Sequence, residues 1–255
     1  PYNISLGALY SRNVSNLMMA GRNISNSHVA FSSTRVMATC SAIGQAVGTA
    51  AAQCASHKIT PRQLRDDRSE LFKLQQTLLR DDQTIRKVRN EDPGDLARMA
   101  RVSASGSIKD AGPEHILTGR TRDADGGNRN RWVASMPQTG GGGDPWLDLM
   151  WDTPQLISEV QITFDTGFQR ELTLSASDSV TRRVVRAPQP ETVSDYTLTA
   201  SLAEGESVEL TSINNNFQRL RRHRFEPVRV NRIRLQVHAT NGSKEARVYE
   251  VRCYA

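Results

Sequence analysis

The side chains best suited to chemistry crowd between Gly21 and Gln45: Gly21, Arg22, Ser25, His28, Arg35, Val36, Met37, Gly44 and Gln45. An imidazole such as His28 serves acid–base or substrate-positioning work, and serves equally as a hydrogen-bonded structural group. Arg22 and Arg35 are fixed cations. Gly44 and Gly48 lie four apart, so on a helix they share one face and admit a neighbouring backbone or a flat ligand. Outside this stretch the chemistry is thin. His57, His115, His223 and His238 show no metal-ligand spacing, and no residue is assigned to a metal. Gly140 to Gly143 lacks the following Lys-Ser/Thr of a phosphate loop and reads as a loop tip. Cys40, Cys54 and Cys253 form no CxxC pair. The first two lie fourteen apart on one predicted helix, roughly 21 Å at about 1.5 Å per residue, too far to bridge.

These residues need elements to hold them. Asn16 to Ala20 reads as a short buried strand that ends on a glycine turn at Gly21. Arg35 to Ala55, rich in Ala, Met, Val and Ile, reads as a buried helix. Thr60-Pro61 is an N-cap followed by proline at the first helical position of a second helical region, whose apolar face is marked by Leu71, Leu74 and Leu78. The composition then changes near residues 90–95, where Asn90-Glu91-Asp92-Pro93-Gly94 makes a linker. Beyond it the pattern is β. Ile157 to Phe164 alternates with a slip near Val160. Leu172-Thr173-Leu174, Tyr196-Thr197-Leu198, Val208-Glu209-Leu210, Ile233 to Val237 and Val248 to Val251 behave alike. Short strands at this spacing predict an antiparallel sandwich of the jelly-roll kind.

The stretch NLMMAGRNISNSHVAFSSTRVMATCSAIGQAVGTAAA, Asn16 to Ala52, resembles the C-terminal flavin-binding motif of FAD-dependent oxidoreductases. The strand, Ala20-Gly21-Arg22, Ser25-x-x-His28, Arg35-Val36-Met37 and Gly44-Gln45-Ala46-x-Gly48 occur together and in order. The resemblance implies FAD as cofactor. It implies that the helix start near Arg35 or Val36 faces the flavin ring, where backbone N–H groups and the helix dipole favour negative charge. It places Gly21 at a turn beside the cofactor, Arg22 and Arg35 as charges near ring or pyrophosphate, and Ser25, Val36, Met37, Gly44 and Gln45 along the same site. His28 becomes the candidate base. Plainer readings stand beside these: Gly21 as an ordinary turn, Gly44 and Gly48 as packing residues, His28 as a structural histidine.

No GxGxxG follows a strand anywhere in the 255 residues. The pyrophosphate cradle that the fingerprint supplies is therefore expected from an upstream nucleotide-binding domain, on the same or another polypeptide. The expected fold is a two-domain α+β chain. Residues 1–92 form the mostly helical C-terminal segment of an α/β FAD-binding domain, and residues 95–255 form the sandwich. By itself the chain is expected to bind FAD poorly and to catalyse nothing. The substrate is a small molecule that the sequence does not name.

Residues 95–255 resemble the discoidin, or coagulation-factor type C, family of galactose-binding-like jelly rolls. The resemblance runs through Leu96-Ala97-Arg98, Val102 to Ser105, Asn130-Arg131-Trp132, Pro145 to Leu149, Ile157 to Val160, Phe217-Gln218-Arg219, His223 to Val228 and Tyr249-Glu250-Val251. It implies core positions for Trp132 and Trp146, a glycan as a candidate ligand, and a structural calcium. The family's usual Asp-Gly is Thr118-Gly119 here, followed by Asp123 and Asp125, and a hard cation needs several placed oxygens. A scaffold or homo-oligomerisation role is the competing reading.

Composition trims the remaining classes. Residues 1–94 hold 12 Lys/Arg against 7 Asp/Glu and the remainder 21 against 20, so the net +6 is concentrated in the first part. The densest basic run, Arg219 to Arg224, is interleaved with strand residues and reads as a solvated strand face, which argues against a nucleic-acid partner. No run of residues is long and apolar enough for a membrane span. Unpaired cysteines fit a reducing compartment without fixing one. Two functions remain: an oxidoreductase component, and a carbohydrate- or surface-binding module whose flavin segment is inert. Few exposed aromatics are expected in the sandwich loops, which favours the first.

Overall fold

The structure is a computed structural model, and it describes residues 2–123, 130–137, 143–168, 170, 175–202 and 205–255. Asp125, Gly140 to Gly142 and the Leu172-Thr173-Leu174 segment lie outside the described residues. The chain divides into two compact units, Pro1–Asn90 and Glu91–Ala255.

The first unit holds helices α1 (His28–Thr34), α2 (Met37–His57), α3 (Pro61–Asp66) and α4 (Arg68–Arg80). Thr60 and Gln63 form a reciprocal capping box at α3. Asp67 accepts from the N–H groups of Ser69 and Glu70 and starts α4, so the predicted single region after Pro61 is two helices. Leu74 and Leu78 are buried with Leu64, Ala50 and Cys54, and Leu71 packs against them. At the end of α2 the chain turns through Lys58 in the left-handed region at φ 55°. Two expectations are corrected. The long helix begins at Met37 and is preceded by a separate one-to-two-turn helix, because Ser27 caps the N–H of Ala30 and starts α1 early. Asn16 to Ala20 is not a buried strand: it makes one bridge, Tyr10 to Met18, and Leu17 is 47% exposed. A strand is made by a ladder of successive pairs, and this segment has a single bridge.

The second unit holds β1 (Arg101–Ala104), β2 (Trp132–Ser135), β3 (Trp146–Phe164), a short α5 (Asp178–Thr181), β4 (Val193–Leu202), β5 (Ser207–Ile213), β6 (Leu220–Thr240) and β7 (Glu245–Tyr254). The order is β2-β7-β3-β6-β4-β5, with β1 on β3 and every pair antiparallel. Strands β3 and β6 run through both layers. The first half of β3 pairs with the second half of β6, and the second half of β3 with the first half of β6. The break between Met150 and Gln155 contains Pro154, which lacks a ladder donor, and marks where the strands pass from layer to layer. The slip read near Val160 is a real irregularity, between Ile157 and Glu159. The core joins both layers around Trp132, Leu147, Ile157, Ile162, Tyr196 and Ile233. This is the antiparallel jelly-roll sandwich of the sequence reading.

Candidate functional site

The segments that carry the candidate residues of the first unit meet around a small apolar cluster of Leu9, Ile24 and Ile43. Ile24 anchors the Gly21–Ser27 turn, and Ile43 belongs to α2. Asn26 clips the turn to the end of α1 by donating to Thr34 Oγ1 at 3.1 Å and to the Ile24 carbonyl at 3.5 Å. The Tyr2 hydroxyl donates to the Ser33 carbonyl at 3.0 Å and lies 3.4 Å from Thr39 Oγ1, tying the chain start to the α1–α2 junction. Gly21 adopts φ 91°, a conformation that only glycine holds without strain, so the chain needs glycine at this turn.

The start of α2 breaks a local rule. Its N-cap is Val36, which offers no side-chain acceptor; Ser, Thr, Asp or Asn there would stabilise the helix by about 1 kcal/mol. The N–H groups of Met37, Ala38 and Thr39 have no acceptor among the described residues, and Met37 is 83% exposed. A twenty-one-residue helix with a bare amino end, in a unit whose other α-helices are capped by Ser27, Thr60 and Asp67, suits an external electron-rich group. Arg35 closes α1 beside this end, its guanidinium 5.9 Å from the Phe31 ring.

Along α2, Gly44, Gln45 and Gly48 are exposed, and a methyl group built at either glycine would meet nothing within 4 Å. Among the described residues nothing lies against these glycines, so the packing reading needs a neighbour from elsewhere. Gln45 donates to the Asp81 carbonyl at 3.4 Å. Arg22, Ser25 and His28 are all exposed. His28 is the first residue of α1 and makes no side-chain hydrogen bond among the described residues. Sequence reasoning missed two features of this site: the separate α1, which Ser27 signals, and the uncapped end at Val36.

In the second unit, ion pairs gather on the segments that follow β3 and lead into β2, β4 and β7. Asp165 is wholly buried and takes Arg131 and Arg247, each at 3.2 Å. Asp123 binds Arg131 at 3.0 Å, and Glu191 binds Arg170. Asp123, one of the two candidate calcium carboxylates, is thus matched by a guanidinium group, Asp125 lies outside the described residues, and among the described residues no group of three His, Cys, Asp or Glu side chains is placed to hold a metal. The basic run on β6 is half internal. His223 is buried, 3.0 Å from the Tyr196 hydroxyl. Desolvation first, and then Arg221, lowers its pKa to about 4. Arg222 and Arg224 bind Gln161 and Glu159. Trp132 is core, but Trp146 is only half-buried, its face covered by Arg234 at 4.1 Å. Two aromatics of strand-connecting segments are exposed, Phe168 at 51% and Phe217 at 65%. No helix among the described residues is long and apolar enough to cross a membrane.

Comparison with known proteins assigns the two parts separately. Residues 1–78 match the family model described as FAD dependent oxidoreductase. Among solved structures, the sandwich resembles the family 32 carbohydrate-binding module of Clostridium perfringens NanJ, solved with galactose, at 12% identity and TM-score 0.43, over 62% of this chain and 96% of that one. It also resembles a chitosan-binding module from Paenibacillus sp. IK-5, at 13% identity and TM-score 0.46, over 64% and 98%. A third is the family 32 module of Streptococcus pneumoniae EndoD, at 16% and 0.45, over 63% and 98%. No curated protein matches the chain in sequence. The chain thus joins a segment that matches the FAD dependent oxidoreductase model to an antiparallel jelly-roll sandwich.

Proposed function

We propose that residues 1–90 form the flavin-ring side of an FAD site in an oxidoreductase whose nucleotide-binding domain is supplied by other polypeptide. The observation that carries this reading is the bare amino end of α2, beside Arg35 and below the exposed Gly44–Gly48 face. Its residues fit the cofactor: main-chain donors and a partial positive charge at Val36 and Met37, a tight turn at Gly21, and a Cβ-free face that a second backbone can approach closely. FAD, when bound, supplies the electron acceptor. The chain's own residues do the rest. The amino end of α2 favours negative charge at its N–H groups, Arg22 and Arg35 add fixed charge, and His28, with no side-chain partner among the described residues, holds or takes a proton from an organic substrate. Alone, the chain offers one side of the site and no pyrophosphate cradle, so it carries no activity.

The substitution Met37→Asp separates this role from a structural one. A carboxylate in the first turn stabilises the helix by about 0.3–1 kcal/mol, and it fills the end with negative charge. The chain alone becomes slightly more stable to urea, while the flavin-loaded protein, with its nucleotide domain, retains less flavin. Unchanged flavin retention would overturn the assignment of this helix end.

A further inference from the structure

The outer face of the sandwich carries a line of hydrogen bonds that the flavin chemistry does not use. His238 of β6 lies between Asp144 and Thr197 of β4. Its Nδ1 is 2.7 Å from an Asp144 carboxylate oxygen and its Nε2 is 2.8 Å from Thr197 Oγ1. Ser212 of β5 extends the line, with Oγ 3.5 Å from Thr197 Oγ1. A carboxylate only accepts, so Nδ1 carries a hydrogen directed at Asp144. In the neutral ring Nε2 is then the acceptor, and the Thr197 hydroxyl donates to it. The core fixes this geometry. Thr197 sits between the buried Tyr196 and Leu198, and His238 follows the buried Val237, so strand alternation turns both outward. The pairing of β4 with β6 sets Gln236 directly opposite Thr197 on the same face. The Gln236 side chain makes no hydrogen bond among the described residues. The side chains of His238 and Asp144 are 37% and 34% exposed, so a small molecule in solution reaches them.

We infer that Thr197, His238 and Asp144 form a hydrolytic site for small carboxylic esters. Carboxylate, imidazole and hydroxyl in hydrogen-bonded series are the arrangement that activates an alcohol as a nucleophile. Thr197 Oγ1 bonds to the acyl carbon as its proton passes to His238 Nε2, and Asp144 orients the ring and stabilises its charge. The Gln236 amide donates to the carbonyl oxygen as that oxygen gains charge. The bond from the acyl carbon to the alcohol oxygen then breaks, and the alcohol leaves with the proton from His238. Water attacks the acyl-threonine by the same route, which releases the acid and restores the hydroxyl. This site belongs to the sandwich and is independent of the flavin reading.

The test uses the full chain with para-nitrophenyl acetate. It follows nitrophenolate release and, after acid quenching, the mass of the peptide that contains Thr197. The expected result is hydrolysis faster than an equal concentration of free imidazole gives, with an acetyl group on Thr197. His238→Gln lowers kcat about a hundredfold, the lower end of what general acid–base catalysis supplies. Thr197→Val removes both hydrolysis and adduct, while Thr197→Ser, which keeps the hydroxyl, retains both. Asp144→Asn acts through the ring and lowers kcat at unchanged KM, a split that a merely structural role would not produce. A urea midpoint close to wild type establishes that each variant is folded. Hydrolysis no faster than free imidazole, an acetyl group elsewhere than on Thr197, or wild-type kcat in Thr197→Val overturns the inference.

Discussion

At the scale of single residues, the chain separates groups shaped by burial from groups left open. His223 belongs to the first kind. Its pKa is lowered to about 4 by desolvation, while the unfolded chain takes up the proton near 6.5. The unfolded state therefore binds more protons between these values, and the sandwich loses stability as pH falls from about 6.5 to 4, by on the order of 3 kcal/mol at the lower end. Urea unfolding of wild type and His223→Gln across that range checks this: the wild type shows the slope and the variant loses most of it. Lys58 is strained by its left-handed φ of 55°. Lys58→Gly is expected to stabilise the first unit by about 1 kcal/mol, read as a higher urea midpoint at unchanged m-value. Asp165 is the reverse case. Asp165→Asn leaves Arg131 and Arg247 without their shared buried carboxylate, and the loss should reach about 3–5 kcal/mol.

At the scale of elements, the sequence reads well where a pattern is satisfied within the chain and poorly where it is not. The jelly-roll strands, the bulge near Val160 and the Leu71–Leu74–Leu78 face come from alternation and helical spacing that the fold itself buries. Asn16 to Ala20 carries the composition of a buried strand, yet it has one bridge, because the residues that would flank it are not supplied by this chain's fold. Gly44 and Gly48 behave in the same way: their spacing signals close approach, and nothing in the first unit approaches them. The α1 helix is signalled only by Ser27, a cap too common to stand out among neighbouring serines and asparagines. The exposed Phe168 and Phe217 stay hidden because sequence does not tell a loop aromatic turned outward from one turned into the core. Elements also set the acid behaviour of the first unit. Glu70 on α4 is held to a pKa of about 2 by Lys73 first, then by Gln53 and His57 of α2. This contact is intact above the usual carboxylate range near 4.5 and is lost as pH falls towards 2. Glu70→Gln should remove that part of the acid sensitivity, visible in helical circular dichroism between those limits.

At the scale of the whole molecule, the two units present different kinds of surface. The sandwich completes its own core, with both layers filled from β3 and β6. The first unit completes only a helical cluster and leaves the flavin-type motif residues exposed: Arg22, Ser25, His28, Arg35, Met37, Gly44 and Gln45. A set of residues that matches a flavoprotein family over 1–78, and that points away from its own core, reads as one wall of a site whose other wall is another domain. The capping rule broken at Val36 and kept at the other α-helix starts of the first unit supports the same reading, since violations of this kind concentrate at functional positions. The central claim is therefore that the first unit completes a flavin site it cannot build alone. The most direct measurement is the visible absorbance of this chain purified alone and of a longer form in which it is joined to a nucleotide-binding domain that carries the GxGxxG fingerprint. The account predicts a flavin band only in the longer form, reduced by Met37→Asp. A longer form that purifies folded, binds no added FAD and shows no such band would contradict it.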